Sequence, residues 1–233
     1  MLDVANPLWN PWAHASETLA LYRRRCRQEA EEMTCAAQVA EILAARVTPG
    51  ETLLDAGCGG GYYYWSFHKR QVPIVYFGLD YTPEMIALAR SELCPRAGLP
   101  PERFLLGAIE NLQGVFDNVL CFNVLTNSPH YARPLERLLH CTRKRLVLRE
   151  SLGDTLCIRY VPDPYLDPGW RHLRTYFNTY PLSEVVAFIE SYGFRVTRFP
   201  DWRTRDGVEM VVDVPHFWRI LLAERREEVP CRA

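Results

Sequence analysis

An aspartate and three glycines at alternate positions, Asp55-x-Gly57-x-Gly59-x-Gly61, close an apolar run, and a second apolar run over residues 74–79 ends in Asp80. Those residue types in that order can bind a nucleoside. Glycines lack the Cβ that would keep a bulky ligand off the backbone, and they supply the positive φ a tight turn needs. A carboxylate after the second strand can accept hydrogen bonds from both hydroxyls of a ribose. The spacing departs from the dinucleotide fingerprint, which wants glycines at the first, third and sixth positions of its turn. Gly57 and Gly59 fill the first two, but Tyr62 stands at the sixth. A tyrosine there obstructs close helix packing and the approach of a pyrophosphate, so a nicotinamide dehydrogenase is disfavoured.

The elements around this loop alternate. Residues 16–46 read as helical, with Leu19, Tyr22, Cys26, Met33, Ala37, Ala40 and Leu43 at three-to-four-residue steps. Strands are expected over 52–55, 74–79, 103–106, 115–122 and 143–149, with helices over 62–70, 82–93 and 134–140 between them. Thr82-Pro83-Glu84 is a helix start, with threonine as cap and proline at the first position, and residues 95–101 read as a loop. Beyond Ser151 the periodicity fades into a segment rich in proline and aromatics. Residues 182–192 then form a helix ended by Gly193, and 194–199 and 217–223 are the last strands, joined by a polar loop over 203–213. Short strands alternating with helices argue for a doubly wound, mostly parallel sheet.

Bulk properties narrow the partners. The chain has 233 residues, 48% of them hydrophobic, and a formal net charge of -1, which suits one soluble domain and gives no footprint for phosphate-driven nucleic-acid binding. Arg23-Arg24-Arg25 and Arg143-Lys144-Arg145 are short solvated clusters. No apolar run approaches a membrane span, and the N-terminal residues lack a signal-peptide layout. The eight cysteines form no C-x-x-C pair, favouring neither zinc nor disulfides, and a cytoplasmic protein is expected. Asp117, Glu150, Asp154 and Asp163 have no metal-ligand spacing, so no metal is expected.

The D-x-G-x-G-x-G loop resembles the first motif of class I S-adenosylmethionine-dependent methyltransferases, and the resemblance extends along most of the chain. Gly78-Leu79-Asp80-Tyr81-Thr82-Pro83-Glu84-Met85 resembles the second motif. Leu106-Gly107-Ala108-Ile109-Glu110-Asn111-Leu112 resembles the third, with Ala108 where the family often has an aspartate for the adenine amino group. Residues 116–125 resemble the fourth, whose strand end faces cofactor and substrate. The resemblance implies a seven-stranded, mostly parallel Rossmann-like α/β sheet with helices on both faces, its last strand antiparallel, and an N-terminal helical lid. It divides the chain into a cap over 1–47 and a methyltransferase domain over 48–233, with a substrate insert at about 151–181. It implies S-adenosylmethionine as cofactor, S-adenosylhomocysteine as product, and cofactor contacts at Asp55, Gly57, Gly59, Gly61, Asp80, Tyr81, Ala108, Ile109 and Asn123.

Methyl transfer from a sulfonium chiefly needs an aligned nucleophile, helped by one general base when the acceptor must lose a proton. His130 is the first candidate for that base, followed by His172, with Tyr131 beside them on the loop after the fourth strand. Trp9, Trp12, Asn127, Arg149, Trp170, Arg171 and Tyr176 are candidate substrate contacts, and Arg171 with Arg174 would suit an anionic group. A surface ion pair is the plainer reading of Arg149-Glu150. The expected function is methylation of a small polar molecule at nitrogen or oxygen by a monomer or homodimer, with no nucleic acid or membrane partner. The alternatives are an RNA or protein methyltransferase and a non-catalytic cofactor-binding subunit.

Overall fold

The computed structural model describes residues 10–226. Residues 16–46 form two helices rather than one, α1 (Ser16–Cys26) and α2 (Thr34–Ala44). Between them Gln28 is left-handed at φ 60° and Met33 is extended. The apolar period runs through this break because both helices bury a face, and periodicity alone cannot register the change of direction. After β1 (Glu51–Ala56) the chain turns through the glycines into α3 (Tyr64–Lys69). This helix starts two residues later than expected, because Tyr62 and Tyr63 belong to the turn.

β2 (Ile74–Asp80) leads into α4 (Pro83–Leu88). Thr82 occupies the cap position without a capping side-chain bond; its hydroxyl lies 3.3 Å from Asn10 Oδ1 instead. The expected loop at 95–101 begins only at Gly98. The helix continues through a π turn (Ala89–Leu93) into α5 (Cys94–Ala97) and stops at Gly98, φ 66°. Pro95 lacks an N–H and would collide with the carbonyl four residues back in a regular helix. The wider π turn moves that carbonyl aside, so the proline is absorbed.

β3 (Phe104–Leu106), β4 (Phe116–Phe122), α6 (Ala132–Cys141) and the long β5 (Thr142–Gly153) follow. The segment where the periodicity fades holds a hairpin of β6 (Tyr160–Pro162) and β7 (Arg174–Tyr176), then β8 (Tyr180–Pro181). After α7 (Leu182–Ser191) and β9 (Phe194–Pro200) comes a second hairpin, β10 (Glu209–Val211) with β11 (Val214–His216), then β12 (Trp218–Arg225).

The main sheet runs β3-β2-β1-β4-β5-β12-β9, with β8 beside the end of β5. Strands β1 to β5 pair in parallel, and β12 is antiparallel to both neighbours, which is the expected α/β architecture. Leu53, Tyr76, Phe104, Leu120, Val147 and Leu222 join one core with residues from α1 to α5, while Leu54, Leu79, Val119, Leu146, Leu148 and Leu221 join another with α6 and α7. Strand order reverses between β1 and β4, and ligands of open α/β sheets bind at the carboxyl ends beside such a switch. Among the described residues no helix is long and apolar enough to cross a membrane.

Candidate active site

The glycine turn is shaped by backbone demands and by Asp80. Gly57 has φ 83° and Gly59 φ 53°, both in the left-handed region that disfavours side chains. A Cβ on Gly57 would overlap Val124 at the start of the loop after β4, and one on Gly59 would lie 2.7 Å from the Tyr22 ring. Gly61 faces the core, where a Cβ would overlap Phe104. Asp80 binds the turn directly: Gly59 N–H donates to Oδ2 at 2.8 Å and Thr82 N–H to Oδ1 at 2.8 Å. Burial raises the pKa of Asp80, and donors from Thr82, Gly59 and Tyr81 pull against that rise.

Asp55 lies beneath the turn. It is buried, and its Oδ2 accepts the Tyr76 hydroxyl at 2.5 Å. Burial pushes its carboxyl up to about 7, the Tyr76 bond opposing and the nearby Asp80 charge adding to the rise. Ala108 stands at the head of a short 3-10 turn (Ile109–Asn111), so only main-chain groups and apolar surface are available there. Tyr81 follows Asp80 and burial raises its phenol.

One face of α1 covers the glycine turn. The Tyr22 ring rests on Gly59, Cys26 Sγ donates to the Gly60 carbonyl at 3.3 Å, and Arg25 donates to the Tyr62 hydroxyl at 3.1 Å. The buried side-chain nitrogens without a partner among the described residues are Asn10 Nδ2, His14 Nε2 and Arg25 Nε, all on this N-terminal stretch. The insert is fastened to the same stretch. The Ser16 hydroxyl and N–H donate to Asp167 Oδ1 at 2.5 and 3.1 Å, Asp167 N–H donates to the His14 carbonyl at 2.8 Å, and His14 stacks on Trp170 at 3.6 Å.

At the ends of β4 and β5, Arg149 and Glu150 are both buried, at 3% and 1% exposure; they form no surface ion pair. Glu150 Oε1 accepts the N–H groups of Val124 and Leu125 at 3.0 Å each, and Oε2 accepts that of Thr126 at 2.9 Å. That carboxylate anchors the loop after β4. The insert clasps the same loop: Asn178 N–H donates to the Thr126 carbonyl, its side chain donates to the Ser128 carbonyl at 2.7 Å, and Asn127 donates to the Tyr176 carbonyl at 2.7 Å. Arg149 turns to Asp201 and Asn123.

The expected proton carriers are spread out. His130 is exposed on the loop after β4, and Tyr131 packs edge-on against Tyr180 and Phe188 at 5.0 and 5.8 Å. His172 is exposed on the insert, 6.2 Å from Trp170. Arg171 donates to the Leu166 carbonyl and Arg174 lies over the Tyr160 ring, so both arginines are engaged within the insert. Trp12 is half-buried in the short turn Pro11–His14; Trp9 lies outside the described residues. Asn178 and Asp201 escaped the sequence reading, as did the contacts made by Asn10, Tyr22, Arg25 and Glu150, since their partners are remote in the chain. Among the described residues no cluster of three metal-ligating side chains occurs.

The surroundings suit a nucleoside with a zwitterionic tail: a left-handed glycine turn, Asp80 at the carboxyl end of β2, and buried nitrogens of Asn10, His14 and Arg25 without a partner among the described residues. Residues 47–154 match the family model described as a methyltransferase domain. The fold is similar to magnesium protoporphyrin IX methyltransferase from Synechocystis PCC 6803 bound to SAH, at 19% identity, 92% of this chain, 97% of that one and TM-score 0.62. It is also similar to 1,6-didemethyltoxoflavin-N1-methyltransferase of Burkholderia thailandensis, at 17% identity, 96% and 92% coverage and TM-score 0.58. A third similar structure is the amino pentose methyltransferase CalS10 of Micromonospora echinaspora, at 19% identity, 89% and 95% coverage and TM-score 0.56. Residues 47–154 thus match a methyltransferase domain, and the fold around them is the one these S-adenosylmethionine-dependent enzymes share.

Proposed function

We propose that this chain is a class I S-adenosylmethionine-dependent methyltransferase that modifies a small polar molecule at nitrogen or oxygen by in-line transfer. The observation that carries the reading is the fastening of the insert to the N-terminal stretch, through Asp167 and Trp170, beside a glycine turn already roofed by α1. Such a double cover leaves room for a small acceptor and little for a polymer. The similar structures include a porphyrin, a didemethyltoxoflavin and an amino pentose methyltransferase, which supports the same class.

Bound S-adenosylmethionine supplies a methyl group already activated on a sulfonium. The chain has to orient it, hold the acceptor in line and exclude water. Asp80 is proposed to take the ribose hydroxyls, with Tyr81, Ala108 and Ile109 around the base. The tail is proposed to run along the glycine turn, whose Gly57 and Gly59 are packed by Val124 and Tyr22, with Asp55 beneath it toward the ammonium. Trp12, Asn127, Trp170 and Tyr176 are proposed to wall the acceptor space. His130 is the proposed group for removing a proton, since it follows the fourth strand and its ring holds no hydrogen bond to a described residue.

The test is incubation with methyl-labelled cofactor and, separately, a metabolite extract, tRNA and a protein extract. Label in a small molecule, gained as one methyl mass, is the expected result. Label retained on RNA or protein would overturn the small-molecule reading. Tight cofactor binding with no transfer and a co-purifying second chain would point to the non-catalytic alternative.

A further inference from the structure

Three polar side chains run in series from the end of β9 to the end of β4. Arg149 Nε lies 2.6 Å from Asp201 Oδ2, and Arg149 NH1 lies 2.5 Å from Asn123 Oδ1. Asp201 Oδ1 in turn accepts the Thr204 N–H and hydroxyl at 2.9 and 3.1 Å. The Trp218 ring closes the guanidinium from one side, 4.5 Å away. Burying such a pair carries a desolvation penalty that its own attraction offsets only when the geometry is good, so its place in the fold calls for a use beyond stability.

That use is read from the geometry of Asn123. A guanidinium has donors only, so the amide beside it must turn its oxygen inward and its NH2 away. Arg149 stays charged at every working pH, which fixes this orientation permanently. The backbone repeats the restraint: Asn123 N–H donates to the Arg149 carbonyl at 2.8 Å, and Asn123 is held left-handed at φ 58°. Residue 149 therefore grips residue 123 at two points. Asn123 Nδ2 makes no hydrogen bond to a described residue, and it stands at the carboxyl end of β4, beside the strand-order switch.

We propose that Asp201 and Arg149 position Asn123 so that its NH2 group donates to a hydrogen-bond acceptor on the methyl-accepting molecule. This rests on the small-molecule reading above and narrows it. The favoured substrates carry a carbonyl, a carboxylate or an unprotonated nitrogen beside the methylated atom. Asn123 is thereby assigned to the acceptor in place of the cofactor contact that the resemblance implies, and Arg149 is a positioning residue rather than a substrate contact.

The experiment compares wild type with N123A, D201N and the double variant. D201N keeps the side-chain shape but has one oxygen where two serve Arg149 and Thr204, and it removes the buried counter-charge of the guanidinium, so a denaturant melt first establishes that the variant is folded. The side-chain NH2 resonances of Asn123, assigned by their loss in N123A, are expected to shift in D201N, although Asp201 reaches Asn123 only through Arg149. Calorimetry is expected to give S-adenosylhomocysteine affinity within about twofold of wild type for every variant. On the acceptor identified by label transfer, N123A and D201N should each lower kcat about tenfold or more. The double variant should be no slower than N123A, because residues acting as one unit are non-additive. Unmoved resonances in D201N, or losses that multiply in the double variant, overturn the relay. A loss of cofactor affinity in N123A with kcat unchanged would reassign Asn123 to the cofactor. Failure of wild type to bind S-adenosylhomocysteine would instead sink the methyltransferase reading, and the resonance test stands without any acceptor.

Discussion

Replacing Asp55 with asparagine should reverse the sign of its effect on stability between acid and mildly alkaline pH. The wild-type carboxyl is pushed by burial from the ordinary 3.8 up to about 7. Its folded form therefore binds a proton that the unfolded chain has already released between pH 4 and 7. Stability from that proton is fully present below the unfolded value and is lost as pH rises through the folded one. At about 1.36 kcal/mol per pH unit the loss comes to about 4 kcal/mol. Asparagine cannot ionise, and its oxygen still accepts the Tyr76 hydroxyl, but its NH2 has no partner in a site built for an oxygen, which costs about 1–3 kcal/mol. D55N should therefore be less stable than wild type by that amount near pH 4, and more stable by about 1–3 kcal/mol at pH 8. Urea denaturation of both proteins in steps from pH 4 to 8 measures the difference, and subtraction removes every other titrating group the two share. A difference that stays level across this range would show that Asp55 titrates as an ordinary exposed carboxylate, and the burial reasoning would be wrong.

Other substitutions probe the remaining parts of the site. Asp80→Ala removes the acceptor for Gly59 and Thr82 as well as the proposed ribose grip; at about 1.5–3 kcal/mol per charge-assisted bond, cofactor affinity should fall at least about a hundredfold by calorimetry. Glu150→Ala strands the N–H groups of Val124, Leu125 and Thr126 in a buried loop and should cost about 3 kcal/mol or more in denaturant melts, whereas Glu150→Gln, which keeps one oxygen, should cost less. Trp170→Ala removes the stack under His14, a contact of about 0.5–1.5 kcal/mol. Amide exchange in residues 16–26 should quicken while exchange in β1 and β4 stays unchanged; uniform acceleration would refute a local fastening.

The readable features of this chain are local in sequence. Asp55, the three glycines and Asp80 sit on strands and turns whose character is set within a few residues, and the parallel sheet follows from alternating apolar runs. Asp201 could not be read this way, because its partner Arg149 is 52 residues distant and neither residue's neighbours betray the pair. Glu150 looked like one half of a surface pair because adjacency in sequence suggested a partner, whereas strand alternation sends Arg149 and Glu150 to opposite faces of β5. Tyr22 was legible as a helical core position, but its seat on Gly59 depends on α1 ending at Cys26, a break that the continuing apolar period conceals.

The long β5 has one more consequence. Leu152 and Gly153 pair in parallel with Tyr180 and Pro181, so the chain leaves the sheet and rejoins it one strand spacing away, about 4.8 Å. Residues 154–179 are thus an excursion with its two ends held side by side. Because the two strands are parallel, the chain must reverse direction between them, and the connection has to be a crossover rather than a tight turn. The crossover that carries Asp167 and Trp170 to the N-terminal stretch is in this way held at both of its roots by the sheet.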